Sequence, residues 1–218
     1  MQSGAHVAND GQRNPSEHLV AVRTDVLSDA EHALGNLFQR IYHLTRLTRD
    51  GLGPHAERLT GAVENVERLL ELLFDYVSPV EVELRALAAP KVVESLTALI
   101  REHALCDVTA GECPSVYVIA DGRLLRRSFQ LVGRAFARDL ERASRVALEI
   151  RGDAERTEFG VLVEVGEPNQ SAADANLALA VAARLIDLNG GELRHAIGGS
   201  SSSWRVALPT SKESHVAV

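Results

Sequence analysis

The sequence predicts an α+β protein in which an N-terminal antiparallel helical hairpin precedes a layer of mixed helices and strands. Three observations carry that reading. Apolar residues recur every three or four positions through two long stretches that end at Ser78-Pro79. From residue 80 the pattern changes to short β-branched runs mixed with amphipathic segments, without strict alternation of strand and helix. At 218 residues, 45% of them hydrophobic and 24% charged, the chain is long enough for one large domain or two small ones.

Asn14-Pro15-Ser16-Glu17 has the form of a helix start, with Asn14 as cap, Pro15 in the first helical position and Glu17 placed to reach back to the cap amide. Leu19, Val22, Val26, Ala30, Leu34, Leu37, Ile41 and Leu44 then keep helical spacing, and Gly51 marks the stop. One helix of roughly 50 Å is expected. After the tight link Asp50-Gly-Leu-Gly-Pro54, a second stripe runs through Leu59, Val63, Val66, Leu70, Leu73 and Val77. Two such helices cannot bury both stripes alone, so two hairpins pairing into a dimeric four-helix bundle is the simplest solution, and a homodimer is expected.

Further along, Val80 to Leu84 alternates like a strand, Pro90 to Glu102 reads as a helix, and Val116 to Ala120 as a short buried strand. Arg123 to Glu141 is amphipathic again. Val146 to Ile150 and Phe159 to Val165 read as neighbouring strands joined by the charged loop Gly152 to Arg156. Ala173 to Leu188 is a helix closed by Gly190-Gly191, and Leu193 to Ile197 with Trp204 to Leu208 form a last hairpin. The segments divide as a tail over 1–14, the hairpin over 15–79, the α+β layer over 80–210 and a second tail over 211–218.

Composition narrows the function classes. A net charge of −7, with no Lys/Arg stripe concentrated on one element, argues against a nucleic-acid binder. No apolar run approaches a membrane span, and the first residues lack the basic and apolar regions of a signal peptide, so a cytoplasmic protein is expected. Cys106 and Cys113 have neither metal-site spacing nor a disulfide framework around them and read as reduced thiols. No metal site is expected.

His32 is the residue that the first helix singles out. At about 100° per residue it lies about 150° from the centre of the apolar stripe, on a face shared with Asp29, Gly35, Asn36, Gln39, Arg40, His43 and Arg46. A histidine there is on position alone a solvated surface residue, one of eight in the chain. An exposed imidazole on a rigid helix can also attack a phosphoryl group, and Gly35 lowers the steric profile beside it.

The order of elements resembles the dimerisation and ATPase core of sensor histidine kinases over roughly residues 17 to 209. Glu31-His-Ala-Leu-Gly-Asn-Leu-Phe-Gln-Arg-Ile41 is similar to the family's phospho-acceptor box, with His32 at the acceptor position and Asn36 at the Asn/Thr position four residues on. Leu73-Phe-Asp-Tyr-Val-Ser-Pro79 resembles the end of the second bundle helix, and Val118-Ile-Ala-Asp121 with Leu124 resembles the strand and helix that carry the asparagine box. Asp187-Leu-Asn-Gly-Gly-Glu-Leu193 and Arg205-Val-Ala-Leu-Pro209 look like the closing segment. The resemblance implies a Bergerat-like α/β sandwich after the hairpin.

Departures from the family pattern fall on the nucleotide apparatus. The asparagine box reads Gln130-Leu-Val-Gly-Arg-Ala135, with Arg134 or its neighbour where the metal-binding asparagine belongs, and arginine cannot ligate Mg²⁺. The adenine-binding motif has become Glu167-Pro-Asn-Gln-Ser171 without its glycines, and Asp174, Asn176 and Ala178 stand where the second glycine box needs glycine. Ala33 replaces the acidic residue that follows the acceptor histidine. This combination is similar to the ChpT-like histidine phosphotransferases built on a degenerate kinase scaffold. The resemblance implies a phosphotransferase rather than an ATP-dependent kinase, relaying phosphate between response-regulator receiver aspartates through His32. Asn36 would assist, and Asp29, Gly35, Gln39, Arg40, His43 and Arg46 would form the docking face. No cofactor of its own is implied, Mg²⁺ coming from the receiver, and a hybrid histidine kinase is a further implied partner. The alternative is a non-catalytic pseudokinase scaffold that regulates a kinase or response regulator by docking.

Overall fold

Two helices lead the chain, α1 over Thr24–Leu47 and α2 over Ala56–Val77, and they pack against each other. The computed structural model describes residues 24–47, 56–77, 80–166 and 173–211. The expected helix start at Asn14 and the stop at Gly51 therefore lie outside the described residues, as does the tail over 1–14. The short link between the helices makes them an antiparallel hairpin.

The buried face of α2 differs from the expected stripe by one residue. Ala62, Leu69, Leu72 and Tyr76 are buried, whereas Val63, Leu70 and Val77 are exposed. The cause is that α2 is apolar over more than half its circumference and its protomer covers only one flank. On α1 likewise Ala33 and Leu44 are buried, and Phe38 and Tyr42 stand exposed at 58% and 66%.

After the hairpin come β1 (Arg85–Ala88), α3 (Ala89–Arg101), β2 (Val108–Ala110), β3 (Tyr117–Ala120), α4 (Gly122–Ala135) and α5 (Ala137–Glu141). They are followed by β4 (Arg145–Gly152), β5 (Arg156–Glu164), α6 (Ala173–Asp187), β6 (Glu192–Gly198) and β7 (Ser201–Pro209). The main sheet has five strands in the order β2-β4-β5-β7-β6, with β2 parallel to β4 and the remaining pairs antiparallel. β1 and β3 form a separate antiparallel pair. One face of the main sheet carries Val146, Phe159, Val161, Trp204 and Val206 into the core. The opposite face is polar, with Glu149 and Arg205 exposed, as the period-two alternation of a half-covered sheet requires.

Several elements depart from the sequence reading for local reasons. The alternation at Val80 to Leu84 is not a strand: the Glu83 amide is taken by the Asp121 carboxylate at 3.0 Å, and pairing begins only at Arg85. The run from Arg123 to Glu141 is two helices, because Phe136 (φ −102°, ψ 8°) leaves helical geometry to stack its ring on Trp204 at 4.8 Å between centroids. The strand β2 escapes sequence reading because three residues are too short for a period to register. The last hairpin turns at Gly199-Ser200, where Gly198 pairs with Ser201 and Gly199 takes φ +60°, the left-handed conformation that favours glycine.

Asp121 ties the layer together. Buried at the end of β3, it caps α4 by accepting the Arg123 amide at 2.9 Å and the Leu124 amide at 3.4 Å, while Arg123 Nη2 approaches at 3.0 Å. Its own amide donates to the side-chain oxygen of Asn189, whose amide nitrogen donates back to the Leu185 carbonyl on α6. Next to it, Gly191 touches β7 so closely that a Cβ would sit 2.5 Å from the Ala207 carbonyl oxygen. The Gly-Gly-Glu-Leu segment is thereby explained as close backbone packing.

The hydrogen bond from Arg123, with backbone amides adding to it against the opposing effect of burial, holds the Asp121 carboxyl well below the usual carboxylate range. A lowered folded-state value means that the stabilisation is complete above the unfolded-state pKa and is lost as pH falls through the folded-state value. Asp121→Ala is expected to cost about 1–3 kcal/mol at neutral pH. The gap in urea midpoint between wild type and variant should narrow as pH drops below about 4; a gap that widens there would contradict the assignment.

Candidate functional site

His32 emerges from α1 because the helix is seated by its other flank. At about 100° per residue, buried Ala33 and Leu44 and half-buried Leu37 centre roughly 120° from His32 on one side, and exposed Phe38 and Tyr42 roughly 100° on the other. The arc between these flanks holds His32, Asn36, Gln39 and His43 within about 40° of His32, with Gly35 and Arg40 at its edges. All six are exposed. A Cβ placed on Gly35 would meet nothing within 4 Å, so the space beside the histidine is open. Asp29 and Arg46 belong to the same helix, their side chains lying outside the described residues.

Ala33 acquires a structural reason here. It is only 9% exposed and belongs to the same buried cluster as Leu69 and Leu72. A carboxylate at that position would be pressed into apolar surroundings at a cost of several kcal/mol unless paired.

The hairpin is fastened to the layer behind it at the end of α2. Asp75 accepts hydrogen bonds from Arg127 of α4, Nε at 3.2 Å and Nη2 at 2.7 Å, and its backbone carbonyl accepts Nη1 of Arg184 on α6 at 2.9 Å. Sequence reasoning passed over all three residues. A signal was present for one of them: Arg184 is the sole cation in the apolar run Leu177 to Leu188, and a charge inside such a run is a candidate for a buried, paired role.

Beside this fastening lies a groove of about 530 Å³ between α2, α4 and α6. Leu131, Arg134 and Ala135 line it from α4 and Ala175 and Ala178 from α6, while Glu64, Glu67 and Glu71 face them from α2. These are the segments likened above to the asparagine box and the second glycine box. Their groove-lining side chains are aliphatic or cationic, with no asparagine or glycine among them, and the charged lining of the whole groove balances Glu64, Glu67 and Glu71 against Arg68, Arg127 and Arg134. No residue of α1 lines the groove, so it and His32 are separate features of the protomer. The segment Glu167 to Ser171 lies outside the described residues, as does the side chain of Asp174; Asn176 is exposed at the start of α6. No group of three or more potential metal ligands occurs among the described residues.

No family model matches the sequence, and neither does any curated protein. Solved structures do share its fold. The Acinetobacter baumannii histidine kinase AdeS superposes with a TM-score of 0.60 at 15% identity, over 82% of this chain and 97% of that one. The histidine kinase ThkA, solved in complex with the response regulator protein TrrA, gives 0.65 at 12% identity, over 88% of this chain and 63% of that one. Full-length ShkA in complex with AMPPNP gives 0.52 at 17% identity, this chain spanning 46% of its length. The fold is thus histidine-kinase-like over most of the chain.

The fastening at Asp75 predicts an order of effects. Arg127 and Asp75 are about one-third exposed, so Arg127→Ala should cost only about 0.5–1 kcal/mol and less in high salt. Arg184 is nearly buried, so Arg184→Ala, which strips a donor from the α2 carbonyl, should cost about 1–3 kcal/mol with little salt dependence. Urea denaturation at low and high salt checks both, and equal losses for the two variants would refute the ranking.

Proposed function

We propose that the protein is a histidine phosphotransferase of two-component signalling, carrying a phosphoryl group on His32 between receiver aspartates without binding ATP. The observation that carries the reading is the contrast between two places in one histidine-kinase-like fold. His32 stands exposed on α1 among Asn36, Gln39 and His43, none of whose side chains engages a hydrogen bond or ion pair among the described residues, while the segments likened to the nucleotide boxes line their groove with Leu131, Arg134 and Ala178.

In the proposed reaction a ring nitrogen of His32 attacks the phosphorus of a receiver's aspartyl phosphate. The bond from phosphorus to the carboxylate oxygen breaks, the aspartate leaves as a free carboxylate, and the phosphoryl group stays on the imidazole. Transfer to a second receiver runs the same displacement in reverse. The receiver supplies Mg²⁺ and most of the charge stabilisation, so the phosphotransferase contributes a nucleophile at fixed position and a surface to dock on. Asn36, about one turn from His32, is placed to orient the transferring group, and Asp29, Gly35, Gln39, Arg40, His43 and Arg46 are assigned to docking.

The homodimer belongs to the same proposal. Phe38 and Tyr42 on α1 and Val63, Leu70, Phe74 and Val77 on α2 leave an exposed apolar strip, and the α2 members keep the 7-4-3 spacing of a helix seam. A second hairpin seated there would make a four-helix bundle with a His32 on each protomer.

Two measurements test the reading. Phosphorylated receivers from the same cell, mixed with purified protein, should label the wild type and not His32→Ala, and radiolabelled ATP alone should label neither; equal labelling of the alanine variant, or no labelling by any receiver, would sink it in favour of a docking scaffold. Separately, Phe74→Glu should halve the mass seen by light scattering at micromolar concentration, since an unpaired carboxylate replaces an apolar side chain worth about 1.5–3 kcal/mol of burial.

A further inference from the structure

A second surface, built from elements other than α1, has the features of a strand-docking site. β1 is an edge strand: among the described residues β3 is its one strand neighbour. In an antiparallel pair the backbone groups of successive residues face alternately toward and away from the partner. Glu83 and Ala89 donate their amides to the β3 side, to the Asp121 carboxylate and the Val116 carbonyl. By alternation Arg85 and Leu87 face β3 too, and the amides of Ala86 and Ala88 face the open edge. An edge of this kind is a template for an added strand.

Leu87 and Ala88 at the end of β1, just before α3, also line a pocket of about 170 Å³, with Val92, Leu125 and Phe129. Its volume suits one large apolar side chain. The two charged residues in its lining are Lys91 and Arg126, both cations and both exposed, with no ion-pair partner among the described residues. In a protein of net charge −7 a pocket walled by cations alone is a local reversal of sign. Neighbouring arginines differ, since Arg85 is paired with Glu83 and Arg123 with Asp121. The first turn of α3, which opens beside the pocket, carries no acidic side chain either.

We infer that this surface binds an extended acidic segment of a partner protein, which adds to the β1 edge, inserts one apolar side chain into the pocket and sets carboxylates against Lys91 and Arg126. Main-chain hydrogen bonds supply affinity in this mode, and the pocket with its two cations supplies selection. The inference stands apart from the reading of His32, so the failure of either leaves the other intact.

A fluorescein-labelled peptide Asp-Val-Glu-Leu-Glu-Val-Asp tests it by anisotropy with the full chain. The peptide is expected to bind, and the same peptide with Ser at its centre, or with Lys in place of each acid, at least tenfold more weakly. Lys91→Glu/Arg126→Glu should lose tenfold or more for the acidic peptide and gain for the basic one, a swap that misfolding cannot produce. Methylating alternate peptide nitrogens should abolish binding in one of the two possible sets and spare it in the other. No binding of the acidic peptide at millimolar concentration, indifference to the charge swap, or survival of binding in both methylated sets would each overturn the inference. So would a changed protomer number in the Lys91→Glu/Arg126→Glu variant without peptide binding by the wild type, which would make the pocket a contact between copies.

Discussion

The burial of α6 on two sides is the constraint on which the rest of the structure depends. Leu177, Ala178, Leu179, Val181, Ala182, Leu185 and Ile186 are all buried, an arc wider than one neighbouring layer can cover. The helix packs on α4 and β6 on one side and on α1 and α2 on the other. Alanines at Ala175, Ala178 and Ala182 fall on one face and permit close approach. One continuous cluster therefore runs from Ala33 and Leu72 in the hairpin through α6 to Phe159 and Trp204 in the sheet. Detaching the hairpin would return apolar area to water at about 25 cal/mol for each Å².

That constraint fixes what each surface can do. With α2 tied down at Asp75, Glu64, Glu67, Arg68 and Glu71 on its flank face Arg127 and Arg134 of α4 across the groove. The same docking turns His32 away from the groove, since Ala33 must point inward for α1 to seat. Seating the hairpin and presenting the histidine are consequences of one helical rotation, and a side chain larger than alanine at residue 33 would alter both.

Much of this was legible in the sequence, because it rests on local periodicity. The strands β4, β5, β6 and β7 and the helices α3 and α6 follow from two-residue and 3.6-residue repeats with glycine stops, and they lie within a residue or a few of their expected places. The polar arc around His32 follows from helical geometry in the same way. What escaped depends on partners distant in sequence. Asp121 looked like the end of a strand, yet its role is set by Asn189, sixty-eight residues on. The buried flank of α2 was misplaced by one residue because periodicity locates an apolar arc without saying which part of it the protomer covers and which part it leaves open. Arg127 and Asp75 are ordinary helix-surface residues until the two helices are brought together.

The division of α1 bears on the chemistry proposed for it. The helix spends one flank on the core and leaves a second flank, with Phe38 and Tyr42, apolar and exposed; the remaining arc is polar. A histidine buried among internal acceptors would have its ring orientation settled by its own protein. The His32 side chain has no such partner among the described residues, so its ring orientation is left for an incoming site to set. For the proposed transfer that would be the useful condition: the rigid helix would fix position, and the receiver would fix the alignment of nucleophile, phosphorus and leaving oxygen. A scaffold that only docks has no need of this condition, whereas a carrier does.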